Sequence, residues 1–213
     1  MKNLEDIAMI HKKTILSSHA NVSFLAKGEE RKLFGTNTPR VVQRRAKSFK
    51  SPPKAYSTAH SIANLLYPKN FLEYIASGIE KSESGHSIDT FSRRVKLSRN
   101  SQKMIEDSYE KNREPKIDQN LETKLESARD LARKIFDETG IAVVNTSYRN
   151  VGFTPARNPV FFEISYIDLQ KLRKHVKSMP EEKSGERLRK KQALALLKAL
   201  EKVGGRNKRV LAH

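Results

Sequence analysis

Arg40, Arg44, Arg45, Lys47, Lys50 and Lys54 bracket two aromatic residues, Phe49 and Tyr56. Such cations neutralise phosphates and such rings stack on unpaired bases, so the segment has the chemistry of a nucleic-acid contact. The same residues also read as a solvated basic loop, since no RNP, KH or zinc-finger signature accompanies them. A second basic cluster, Arg187, Arg189, Lys190 and Lys191, lies on a later helical stretch. Both sit in a chain of 213 residues with a formal net charge of +18. The excess is concentrated: residues 26–55 carry nine Lys or Arg against two acids, and residues 171–213 carry fourteen against four. A field of this sign gathers phosphates and other polyanions, and RNA or another polyanion is the partner it implies.

Other chemistries find little footing. Cysteine is absent, which removes disulfides, thiolate metal sites and thiol nucleophiles and suits a reducing, cytoplasmic compartment. The six histidines stand at 11, 19, 60, 86, 175 and 213 with no helical pairing that would hold zinc. No Walker A, GxSxG or GxGxxG pattern occurs. The first sixteen residues alternate charged and apolar types without a signal-like apolar run, and no stretch reaches the length of a spanning helix, so no membrane association is expected.

The elements that must position these residues follow from periodicity and turn chemistry. Short strands are expected at 22–25, 32–34 and 40–44, with a break at Pro52-Pro53 and a helix from Tyr56 to Tyr67 whose Ala59, Ile62, Ala63 and Leu66 share a face. Phe71–Ala76 reads as a strand. Residues 81–116 are polar, with Phe91, Val95, Met104 and Ile105 supporting either a loose helix or two, or a mobile insertion. Asn120 is the expected cap of a long amphipathic helix that Gly140 stops. Strands then follow at 141–144, 151–153 and 160–164, the last two joined by a turn, and a helix covers 168–176. Ser178 to Glu181 resembles a capping box opening a final basic helix, with a mobile tail beyond Gly204-Gly205. The fold class is α+β: a small N-terminal strand-rich lobe (1–80), a polar insertion or linker (81–118), a helix plus β-hairpin lobe (119–180), and a basic C-terminal helix and tail (181–213).

The order of these elements, with Val143-Val144-Asn145-Thr146-Ser147-Tyr148-Arg149-Asn150 leading through a hairpin to Phe161-Phe162-Glu163, resembles the protein-kinase-like superfamily and its aminoglycoside phosphotransferase branch. The resemblance covers residues 20–80 and 119–170. It implies a nucleotide, ATP, with Mg²⁺ held by Asn150 and Glu163, and places Asn145 where the family has its catalytic Asp. An amide cannot take up a proton as a carboxylate does, so the usual base is missing. The resemblance leaves Arg44 as the cation nearest to the family's phosphate-pairing Lys. The following helix offers Thr58 or His60 but no acid to pair with it, and Gly28 and Gly35 are sparse for a phosphate-covering loop. The same residues also form an ordinary hairpin, with both asparagines as turn formers. Two classes of function therefore stand side by side: a divergent kinase-like protein that binds a nucleotide or phosphorylated ligand, and a basic, non-enzymatic nucleic-acid-binding protein.

Overall fold

Five antiparallel strands, β1 (Ser23–Lys27), β2 (Arg31–Gly35), β3 (Val41–Ala46), β4 (Tyr74–Ser82) and β5 (Gly85–Arg93), form a sheet in the order β1-β2-β3-β5-β4. The computed structural model describes residues 23–27, 31–35, 41–46, 53–82, 85–93, 95–110, 118–148, 150–204 and 209–210. Helix α1 (Pro53–Leu66) connects β3 to β4. Pro53, expected to stop regular structure, instead opens this helix, because the N–H it lacks would have no partner in a first turn. The expected face of α1 is buried: Ala59, Ile62 and Ala63 are fully enclosed and Leu66 nearly so.

Of the two readings for residues 81–116, the helical one holds in the second part, over Met104 and Ile105, and the first part is strand. Their first part completes β4 and supplies β5, which runs between β3 and β4 with Gln43 opposite Phe91 and Ile79 opposite Ile88. Helix α2 (Arg99–Glu110) follows. Phe71 lies outside β4 and makes an isolated bridge to Phe161.

Helix α3 (Gln119–Thr139) is capped by Asp118, two residues earlier than expected, whose Oδ1 accepts the Leu121 N–H at 2.7 Å. Gly140 ends it in the left-handed region, at φ 75°, and donates its N–H to the Phe136 carbonyl. A Cβ there would stand 2.7 Å from the Asp168 carbonyl oxygen and 2.8 Å from Lys171 Cβ, so the position needs glycine for both conformation and space.

The expected strand at 160–164 is two strands in two sheets. Strands β7 (Val151–Phe153) and β8 (Pro159–Phe161) pair as a hairpin, whereas β9 (Ile164–Asp168) lies between β6 (Ile141–Val143) and β10 (Arg209–Val210). The strand at Arg209 replaces part of the tail expected to be mobile. Helix α4 (Leu169–Ser178) is capped by Asp168, which accepts from the N–H groups of Gln170 and Lys171. Helix α5 (Ser184–Gly204) begins later than the expected capping box. The Ser178 hydroxyl donates back to the His175 carbonyl, and it is Glu186 that accepts the Lys183 N–H at 3.1 Å.

One apolar core joins α1, α3, α4 and α5 to the short strands, through Ile62, Leu125, Ile135, Ile164, Leu172 and Leu197 among others. The fold is α+β, and among the described residues no helix is long and apolar enough to cross a membrane.

Candidate functional site

The chain leaves β6 into a turn closed by the N–H groups of Asn150 and Val151, which both donate to the Ser147 carbonyl. Two backbone bonds then tie this turn to the segment between β8 and β9. Val144 N–H donates to the Glu163 carbonyl and Phe162 N–H to the Asn150 carbonyl, each at 3.2 Å. The switch from one sheet to the other therefore happens at Phe162-Glu163, beside the asparagines. Residues separated by as many as eighteen positions, Asn145, Asn150 and Glu163, are gathered at one place.

Within this group the Asn150 Nδ2 donates to Asn145 Oδ1 at 2.7 Å. That bond fixes both amides. Asn150 keeps its Oδ1 as an acceptor, the atom type a hard cation prefers, and Asn145 keeps its NH₂ as a donor. Asn145 is exposed, while Asn150 and Glu163 are half-buried. Phe162 is seated by Gly152 of β7, where a Cβ would stand 2.7 Å from Phe162 Cζ and 2.8 Å from Leu97 Cδ2. The glycine leaves the space in which these two side chains approach the strand.

Asn150 and Glu163 are the oxygen donors here that could hold Mg²⁺ in company with a ligand. Magnesium takes one or two protein carboxylates and fills its remaining positions with phosphate oxygens and water. One carboxylate, Glu163, and one amide oxygen, Asn150 Oδ1, meet that pattern. Among the described residues there is no cluster of three or more His, Cys, Asp or Glu able to hold a bare metal ion.

The other residues singled out by sequence are spread through the fold. Arg44 lies on β3 with Leu33 and Thr90 as its strand partners, and Arg45 pairs with Lys32 and Asp89. Lys54 lies in the first turn of α1. Arg40, Lys47, Phe49 and Lys50, like Gly28, fall outside the described residues. Tyr56, a candidate stacking ring, is 1% exposed and belongs to the core. It packs against His60 with ring centroids 4.5 Å apart, His60 stacks on Tyr74 at 4.4 Å, and Tyr74 meets the Tyr56 ring edge-on at 5.8 Å, so the three rings form one cluster. Thr58 is buried as well.

On α5 the basic cluster is partly committed to holding the fold. Arg187 Nε donates to the Glu181 carbonyl, and Lys190 Nζ reaches both the Met179 carbonyl and the Glu181 carboxylate. The Lys190 ammonium, with the Arg187 charge beyond it, holds the Glu181 carboxyl below its ordinary range. Arg189 donates Nε to the Leu65 carbonyl and Nη2 to the Leu66 carbonyl, covering the C-terminal end of α1. Lys191 remains exposed. Near Arg189, the Tyr67 hydroxyl donates to Glu138 Oε2 at 2.7 Å. Burial, reinforced by Glu138, raises the Tyr67 pKa far above its usual range. No periodicity signals this interhelical contact, because its members come from three separate helices or their ends.

No family model matches the chain, and no curated protein matches it. Among solved structures it is similar to the MAP kinase LmaMPK10 from Leishmania major, with 12% identity and a TM-score of 0.39, over 98% of this chain and 76% of that one. The kinase-like resemblance at this level is faint.

Proposed function

We propose that the chain binds the phosphates of a nucleotide, ATP being the first candidate, or of another phosphorylated ligand, through Mg²⁺ at Asn150 and Glu163. The observation that carries this reading is the Asn150 to Asn145 amide bond at 2.7 Å, beside backbone bonds that bring Glu163 to the same turn. The kinase-like order read from sequence is what suggests a nucleotide for this turn. When bound, the metal neutralises and orients phosphate oxygens.

The chain's own contribution is chiefly positional. Asn150 presents an oxygen because its nitrogen is occupied, and Asn145 presents an N–H that can donate to a phosphate or hydroxyl oxygen. A hydroxyl bonded there keeps its proton, since an amide is no base at neutral pH. Phosphoryl transfer depends mainly on placement and electrostatics, so the expected activity is ligand binding with slow transfer at most.

Thermal unfolding with ATP and Mg²⁺ tests the reading. A ligand at a hundred times its dissociation constant stabilises by about 2.7 kcal/mol, an easily measured shift. The shift should require metal and nucleotide together and disappear in Glu163→Ala and Asn150→Ala. No response at millimolar nucleotide would remove the proposal.

A further inference from the structure

A groove of about 230 Å³ runs between the start of α2, the second turn of α3 and the β7–β8 turn, and its walls carry Arg99, Lys124 and Arg157. It continues into a hollow of about 170 Å³ with which it shares Ser98, Asn100, Lys124 and Phe153. Neither cavity includes Asn145, Asn150 or Glu163. We propose that this groove is a second binding site, for the phosphate group of a small phosphorylated ligand.

The argument begins with charge. Three elements each contribute one cation to the same concavity. Among the described residues, none of these three side chains has an ion-pair or hydrogen-bond partner. The carboxylate on the wall, Asp118, has its Oδ1 committed to the Leu121 N–H as the cap of α3. Lys124 is half-buried, its stem lying along the wall, and its ammonium has no counter-charge among the described residues. Like charges converging on a concave wall repel one another and focus a positive potential that an anion relieves. Two arginine forks and an ammonium match the oxygens of a phosphate.

Rigidity points the same way. The floor is Phe153, 4% exposed, whose N–H donates to the buried Ser101 hydroxyl at 2.9 Å, while its carbonyl accepts the Ser98 N–H at 2.7 Å. Arg157 is held at φ 63°, uncommon for a side chain of its length, in a turn pinned by Thr154 N–H to Asn158 carbonyl and Asn158 N–H to Thr154 Oγ1. The floor ring is covered by its neighbours and offers no platform for a base, which favours a compact anion over single-stranded nucleic acid.

The test uses the full chain in EDTA, so that the proposed magnesium site takes no part. Thermal unfolding and calorimetric titration are measured with inorganic phosphate and pyrophosphate against chloride of equal ionic strength. Saturable stabilisation by phosphate is expected, with affinity falling at least tenfold in Lys124→Gln and in Arg157→Gln and unchanged in Lys191→Gln. Should Lys124→Gln fold poorly, Arg157→Gln on its exposed turn reads the same quantity. Arg157→Gly should raise the unfolding midpoint without phosphate yet weaken phosphate binding, opposite directions that a purely structural role would not produce. The magnesium–nucleotide response should survive in Lys124→Gln and be lost in Glu163→Ala, so each site can fail alone. Equal shifts in phosphate and chloride, or unchanged titrations of both groove variants, would overturn the inference. So would an oligonucleotide that binds through Lys124 and Arg157 while phosphate does not.

Discussion

Arg189 of α5 lies against the last turn of α1, its Nη2 2.7 Å from the Leu66 carbonyl oxygen and its Nε 3.0 Å from that of Leu65. A helix ends with carbonyls that have no partner of their own, and a guanidinium meets two of them while complementing the negative end of the helix dipole. Arg189→Ala should therefore cost about 1–2 kcal/mol. Arg189→Lys should recover only part, because a single ammonium cannot reproduce the fork. Urea unfolding of the three proteins measures both effects.

Asn145→Asp should convert a donor into a base. The Asn150 Nδ2 can still donate to the new carboxylate, so the turn is retained, and a proton acceptor now stands beside the proposed phosphate site. Nucleotide turnover with Mg²⁺ should rise on the order of 10²-fold, the usual contribution of a positioned general base. Turnover unchanged from the parent protein in a variant that still binds nucleotide would argue against a kinase-like arrangement of these residues.

His175 gives the fold a pH dependence. Burial is the main influence and lowers its pKa; the Glu138 carboxylate and carbonyl oppose this, and Arg189 adds to it. The unfolded chain then takes up a proton more readily than the folded one, so stability is complete above the unfolded value of about 6.5 and falls as pH drops below it. The urea midpoint should decline between pH 7 and pH 5.5, by the reasoning of proton linkage, and the decline should be shallower in His175→Gln. Glu181, whose pKa is lowered, acts in a separate window, losing its contribution only as pH falls through the carboxylate range.

Gly140→Ala should destabilise by about 2–4 kcal/mol, combining a left-handed backbone with overpacking. The new methyl would meet backbone at Asp168 as well as the Lys171 Cβ, neither of which can swing aside. Differential scanning calorimetry should show a lowered midpoint.

Sequence patterns located the long helix ending at Gly140, the buried face of α1 and the β7–β8 hairpin, because each has a full period or a strong turn signal. They missed β5. Its apolar residues Ile88 and Phe91 are three apart, a spacing that does not alternate and reads as helical if anything, whereas the strand pairs with β3 on one side and β4 on the other. The run Val160 to Ile164 reads as one strand because its residues are almost all apolar. It divides where the Glu163 carbonyl accepts the Val144 N–H and the Phe162 N–H donates to the Asn150 carbonyl, bonds that no local pattern announces. Asn145 and Asn150 were legible as turn formers, but the backbone bonds that bring the Phe162-Glu163 segment beside them are long-range, and the groove cations Arg99, Lys124 and Arg157 come from three unrelated stretches and leave no local pattern. The cap of α3 moved from Asn120 to Asp118 because both residue types fit the role, and the backbone chose the one that reaches the Leu121 N–H.

The contact between Arg189 and Leu65 spans 124 positions along the chain. On the ribosome, synthesis runs from the N-terminus, so α1 emerges long before the helix that covers its end. Until Arg189 and the apolar residues Ala193, Leu197 and Leu200 are outside the exit tunnel, the core face of α1 must stay hydrated, wait in a non-native collapse or be shielded by a chaperone. Such distant closure slows folding, since the intervening loop entropy is spent before the contact forms. A ribosome stalled before Ser184 should thus display a nascent chain that is protease-sensitive at α1, and one stalled well past Gly204 should not.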